Sequence, residues 1–142
     1  MTYATLQTLT DQFGADEVLV SSDRDHDGVS DPDVVARALA HADGLINSRI
    51  GVKYKLPLQV VPEVLVAYAG DIALYRMSQD TGPLTEEKRQ RYEDALLWLD
   101  KVAAGKAVLD GAPEPEAKTS ANGIKVVAAA REFTREKLGG IL

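Results

Sequence analysis

Cysteine is absent from the 142 residues. That excludes disulfides, thiol nucleophiles and thiolate metal sites, and it suits a reducing compartment. Long apolar runs are also missing. No stretch approaches the roughly 20 residues needed to span a bilayer. The start "MTYATLQTL" lacks the basic residues and apolar core of a signal peptide. A soluble protein made in the cytosol, without a membrane partner, is expected. Positive charge is short: 16 Lys and Arg stand against 22 Asp and Glu, a formal net charge of −6. Phosphate contacts need a surplus of Lys and Arg, so tight binding to a nucleic-acid backbone is not expected.

Catalytic patterns are missing as well. The glycines form neither GxGxxG nor GxxxxGK[ST]. Ser21, Ser22, Ser30, Ser48, Ser78 and Ser120 lack the surroundings of an activated nucleophile. The two histidines, His26 and His41, are not expected to act together, and His41 lies opposite the apolar stripe of its helix. Asp71 adjoins the stripe residue Ile72, with Arg49, Arg76 and Arg91 as possible partners, and reads best as part of a structural ion pair. No enzyme activity and no cofactor are expected.

The most specific local pattern present is "DRDHDGVSDPDV". A calcium-binding EF-hand loop takes oxygens from positions 1, 3, 5, 7, 9 and 12 and needs glycine at position 6. Counted from Asp23, those positions hold Asp23, Asp25, Asp27, the Val29 carbonyl and Asp31, with Gly28 at the glycine position. The bidentate Glu is replaced by Val34. Asp23, Asp25, Asp27 and Asp31 are therefore candidate metal ligands, with calcium affinity expected only in the ~10⁻⁴–10⁻³ M class. The competing reading is structural. Asp31 followed by Pro32 is a helix start, in which the Asp side chain accepts from a free backbone N–H and proline takes the first helical position. With His26 alone and no cysteine, a transition-metal site is not expected.

Helical periodicity dominates the rest. Thr5 caps a short helix whose face holds Leu6, Leu9 and Phe13, and Gly14 ends it. "ADEVLVSS" adds two turns. Val35, Ala38, Leu39, Ala42, Leu45, Ile46 and Ile50 line a helix running from Asp31 to Gly51. Pro57 and Pro62 break the next stretch into an extended connector in which Leu56, Leu58 and Val60 alternate. Pro62 opens a helix striped by Leu65, Tyr68, Ala69, Ile72 and Tyr75, closed by "DTGP". Thr85 caps another, striped by Tyr92, Ala95, Leu96, Leu99 and Val102, with Gly105 beyond it. Trp98 sits on the shoulder of that stripe, for core packing or a subunit contact. The expected fold is mainly α: a small helical bundle over residues 1–105 with an extended Pro-containing connector. A polar linker follows over 106–123. Residues 124–142 form a C-terminal strand or arm plus a short terminal helix. Ile124, Val126, Phe133, Arg135, Leu138 and Leu142 would form its protein interface, since exposed apolar side chains forfeit burial energy.

In order along the chain come "YATLQTLTDQFG", "DRDHDG", "VVARALAHADGLINSRIGVKYKLPL", "VPEVLVAYAGDIALYRM" and "RYEDALLWLDKVAAGKAVL". This series resembles a family of Mu-like phage and prophage proteins, with "YKLPL…VP" and "RYEDAL…GKA" the most specific parts. The family is in turn similar to the head–tail connector adaptors of tailed phages. The resemblance implies a virion protein of the neck, present in the host cytoplasm during assembly. It implies a ring of copies, dodecameric, between the portal protein and a stopper or tail-completion protein. DNA would pass through its channel without specific binding. The residues by themselves leave a second class open, a calcium-responsive helical binding module using the loop over 23–31.

Overall fold

The computed structural model describes residues 1–82 and 84–112. Five helices follow one another: α1 (Leu6–Phe13), α2 (Ala15–Ser22), α3 (Pro32–Ile50), α4 (Glu63–Thr81) and α5 (Glu86–Ala103). There is no strand among the described residues. The mainly helical expectation holds; the predicted C-terminal strand, short last helix and most of the linker lie outside these residues. No described helix is long and apolar enough to cross a membrane.

Local signals set the helix ends. Thr5 and Thr8 form a reciprocal capping box on α1. Thr85 accepts from the Lys88 N–H at the start of α5. Gly82 ends α4 in the left-handed region at φ 85°. Pro32 takes the first turn of α3, as predicted. At the other end of α3, a Cβ on Gly51 would lie 2.7 Å from the Asn47 carbonyl oxygen. Only glycine lets the chain turn there.

The helix α4 is the centre of the bundle and touches α1, α2, α3 and α5. Its buried residues are Leu65, Ala69, Gly70, Ile72, Ala73, Leu74, Met77 and Ser78, a wider arc than the predicted stripe. A helix with neighbours on several sides buries more than one face. The stripes of α3 and α5 are narrower. Val35, Ala38, Ala42, Ile46 and Ile50 are buried on α3, and Ala95, Leu99 and Val102 on α5. Two aromatic pairs fasten α4 to α5. Tyr75 stacks on Tyr92 with centroids 4.1 Å apart, and Tyr68 meets Trp98 at 5.2 Å.

The connector between α3 and α4 departs from simple alternation. Leu58 is buried and Leu56 half-buried, but Val60 is exposed. Tyr54 is the stronger anchor: it is buried and its hydroxyl accepts from the Leu109 N–H at 3.0 Å. Leu109 is itself buried. The packed core therefore continues past Gly105, into the stretch whose composition reads as linker. At the amino end, Tyr3 and Ala4 are buried, and the Tyr3 N–H donates to Asp43 on α3 at 2.9 Å.

One polar cluster crosses the core. Lys88 on α5 is buried, pairs with Glu17 on α2, and donates to the Ser78 hydroxyl on α4 at 3.1 Å. Ser78 in turn lies 3.3 Å from the Ser21 hydroxyl. Lys88 is buried, whereas Glu17 keeps contact with water, so removing the cation costs its packed stem and a partly screened ion pair. Lys88→Ala should therefore lower unfolding stability by about 1–2 kcal/mol. Arg89→Ala, one residue away on the exposed face, should change it by less than about 0.5 kcal/mol. Urea titration of both variants checks this.

Candidate functional site

The loop joining α2 to α3 is built by its own aspartates. Asp23 accepts from the Asp27 N–H at 3.2 Å and the Gly28 N–H at 3.0 Å. Asp25 accepts from the Asp27 N–H at 3.3 Å, and Asp27 from the Val29 N–H at 2.8 Å. The Asp25 and Asp27 contacts, each to the N–H two residues on, are Asx turns, in which a short carboxylate replaces a backbone partner, and Asp23 reaches further across the loop. They hold His26 at φ 60° and Gly28 at φ 86°, both in the left-handed region. The local sequence folds this way because acceptors at every second position can each reach an N–H further along.

Three of the four candidate ligands come together. Asp23, Asp25 and Asp27 each place a carboxylate oxygen within 4.8 Å of the others and could offer one oxygen each to a cation. Asp31 does not join them. Its carboxylate accepts from the Arg24 N–H at 2.8 Å, across the neck of the loop. This also corrects the expected cap: the Asp31 side chain bonds no N–H of α3, whereas its carbonyl receives those of Val34 and Val35, both at 3.1 Å. The side chain closes the loop rather than the helix. Val34, at the twelfth position, is part of α3.

The charges respond to this crowding. Burial pushes the Asp23 carboxyl up, but the Gly28 N–H, a hydrogen bond from Asp25 and the N–H groups of His26 and Asp27 outweigh it and hold it below the usual range. For Asp25 the Asp27 N–H pulls down, yet desolvation and the charges of Asp27 and Asp31 together leave it above its usual value.

Beside this loop, α3 and α4 enclose a groove of about 500 Å³. Its walls carry Arg37 and His41 from α3 and Arg76 from α4, and Arg24 closes one end. Ala38 and Met77, both buried, form its floor. The Arg24 guanidinium donates to the Ser21 carbonyl at 3.0 Å and the Met77 carbonyl at 2.9 Å, and lies 3.6 Å from Asp80. It serves as a cationic cap on late carbonyls of α2 and α4. Burial, then the Arg76 charge, pulls His41 below its usual value, so the imidazole is neutral at pH 7. The groove is invisible to a reading of one helix at a time. The available signal was the i, i+4 spacing of Arg37 with His41 and of Arg76 with Asp80, which gives each helix a polar stripe.

Asp71 is half-buried, as expected beside Ile72, but its contacts differ from those anticipated. Gln12 on α1 donates to it at 3.3 Å and also to the Ala67 carbonyl at 3.1 Å. Arg49 instead pairs with Asp100, Arg76 bonds Gln79 and Arg91 pairs with Glu87. Desolvation pushes the Asp71 carboxyl up to about 6, against the pull of Arg91 and with a push from Asp94. The candidate interface residues Ile124, Val126, Phe133, Arg135, Leu138 and Leu142 lie outside the described residues.

The model of a protein family described as "Bacteriophage Mu, Gp36" matches residues 3–128. A Haemophilus influenzae protein described as "Mu-like prophage FluMu protein gp36" is 34% identical over 108 residues, covering 76% of this chain and 75% of its own. "Gene product J" of Escherichia phage Mu is 28% identical over 123 residues, covering 86% and 83%.

Two predictions follow from the loop and from Asp71. Asp23→Ala removes the acceptor of the Gly28 N–H in a tight loop and should cost about 1–2 kcal/mol, whereas Asp25→Ala, which leaves the Asp27 N–H on Asp23, should cost less than about 0.5 kcal/mol. Chemical denaturation of the pair separates them. A carboxyl whose pKa is higher in the folded than in the unfolded state favours folding while protonated. Its contribution is complete below the ordinary value of 3.8 and is lost as pH rises through about 6. Asp71→Asn lacks this loss. Its stability relative to the parent should rise between pH 4 and 6 and level off about 1 kcal/mol higher, after allowance for screening at a half-exposed site. Melting curves across that range test the sign.

Proposed function

The chain belongs to the bacteriophage Mu Gp36 family, and on that premise we propose that it is a structural protein of the virion neck. In this reading copies form a ring, dodecameric, between the portal protein and the stopper or tail-completion protein, and DNA passes through the channel. The carrying observation is the family match over most of the chain. The connector role itself comes from the likeness of such proteins to the adaptors of tailed phages.

Several physical features support it. A bundle centred on one buried helix gives a subunit of fixed shape. The net charge of −6 disfavours adhesion to passing DNA. The chain continues beyond Ala112 with Ile124, Val126, Phe133, Leu138 and Leu142, which would gain from burial against another chain. In this reading the protein works without catalysis and without a cofactor. The perturbed carboxyl of Asp71 is accounted for by desolvation and its charged neighbours. A calcium-responsive module finds no support in the loop. Asp31 is turned to the Arg24 N–H, and the twelfth position is Val34 within α3.

Labelling the protein in purified particles tests the reading. It should appear at a single vertex, and its presence in infected cells but never in particles would sink the proposal. Removing residues 124–142 should leave the helical bundle folded, with unchanged melting behaviour, while preventing incorporation into particles. Truncated protein that still yields infectious virions would remove the docking role of those residues.

A further inference from the structure

The groove between α3 and α4 presents Arg37 and Arg76 from opposite walls, both exposed, over an apolar floor of Ala38 and Met77. Within the described chain, the Arg76 guanidinium reaches only the neutral Gln79, and Arg37 has no carboxylate partner. Arg24 at the end of the groove is held by two carbonyls and faces Asp80. Three arginines against one aspartate give the groove a positive field on a chain whose net charge is −6. The opposite situation exists in the adjoining loop. Asp25 and Asp27 are exposed, lie together with Asp23, and form no ion pair among the described residues.

We propose that the groove receives the Asp25–Asp27 carboxylates of a second copy of this chain, paired with Arg37 and Arg76. Each copy carries both halves of the contact, and none of Arg37, Arg76, Asp25 and Asp27 forms an ion pair among the described residues. The same pairing can pass from copy to copy, as a ring requires, or be exchanged reciprocally between two copies. Guanidinium forks match carboxylate geometry, and like charge in the loop is relieved when cations meet it. The apolar floor has room for Val29, which is 63% exposed at the loop tip. Val29 gives this occupant an apolar group that a phosphate backbone lacks, and a polyanion would also meet the acidic surroundings of the groove. This inference deepens the ring reading and rests on it for its meaning in the particle.

Sedimentation velocity of the full chain tests it at low ionic strength (~0.01 M, Debye length about 30 Å) and again in high salt. One variant reverses the groove (Arg37→Glu with Arg76→Glu). The other changes the loop (Asp25→Lys with Asp27→Asn, the asparagine keeping the acceptor for the Val29 N–H). All four positions are exposed, so folding should persist, and melting curves confirm it. The parent should self-associate, less so in high salt. Each variant alone should associate at least about tenfold more weakly, and an equimolar mixture of the two should recover to within about threefold of the parent. A parent that stays monomeric at every concentration, variants that associate like the parent, or a mixture without recovery would each overturn the contact. Loss of binding to a DNA oligonucleotide in the groove variant, with self-association intact, would assign the groove to nucleic acid instead. None of these failures touches the neck location, which particle labelling decides separately.

Discussion

The central constraint is the burial of α4. It is packed by α1, α2, α3 and α5, and its residues from Leu65 to Ser78 supply much of the core. Each side chain removed from water there adds about 25 cal/mol per Å² of apolar area, so every neighbouring helix is positioned by what it covers on α4. Gly70 shows how close the approach is. A Cβ there would meet Gln12 of α1 at 2.2 Å. The two aromatic pairs to α5 finish the enclosure.

Surrounding a helix also traps polar groups, and the molecule resolves each locally. Ser78 is buried and is satisfied by Lys88 and Ser21. The Met77 carbonyl receives the Arg24 guanidinium. Arg24 thereby ties the start of the acidic loop to α4, while Asp31 ties the end of the loop to the Arg24 N–H. The loop's shape is thus a consequence of how α2 and α3 close over the second half of α4. Its resemblance to a calcium loop follows from the same need for acceptors at alternating positions. The carboxylates that could have bound a cation are partly spent on backbone N–H groups.

The same closure creates the basic groove. Arg37 on the exposed flank of α3 and Arg76 on that of α4 line the gap above the buried Ala38 and Met77. An acidic chain with a fixed bundle has the charge pattern of a subunit made to meet others: among the described residues Arg37 and Arg76 of its groove have no carboxylate partner, and Asp25 and Asp27 of its loop form no ion pair. That pattern agrees with the structural role proposed for a member of the Mu Gp36 family.

Much of the fold was determined by the sequence alone, because its causes are local. Thr5, Pro32, Gly82 and Thr85 act on the few residues beside them, so helix ends could be read directly. The stripes of α3 and α5 were legible because one face of each is buried. Lys88 was legible in principle, since it extends the α5 spacing of Tyr92, Ala95, Leu99 and Val102 by one more turn. Its partner Glu17 was not, being distant in sequence. The wide burial of α4, the burial of Leu109 against Tyr54, the link from Gln12 to Asp71 and the redirected Asp31 were decided only by tertiary structure. In each case but the last the deciding partner lies on a distant segment; for Asp31 it is the Arg24 N–H at the other end of its own loop. Hydrophobic period and capping describe a segment's relation to its own turns, and they carry no information about which segment will stand opposite.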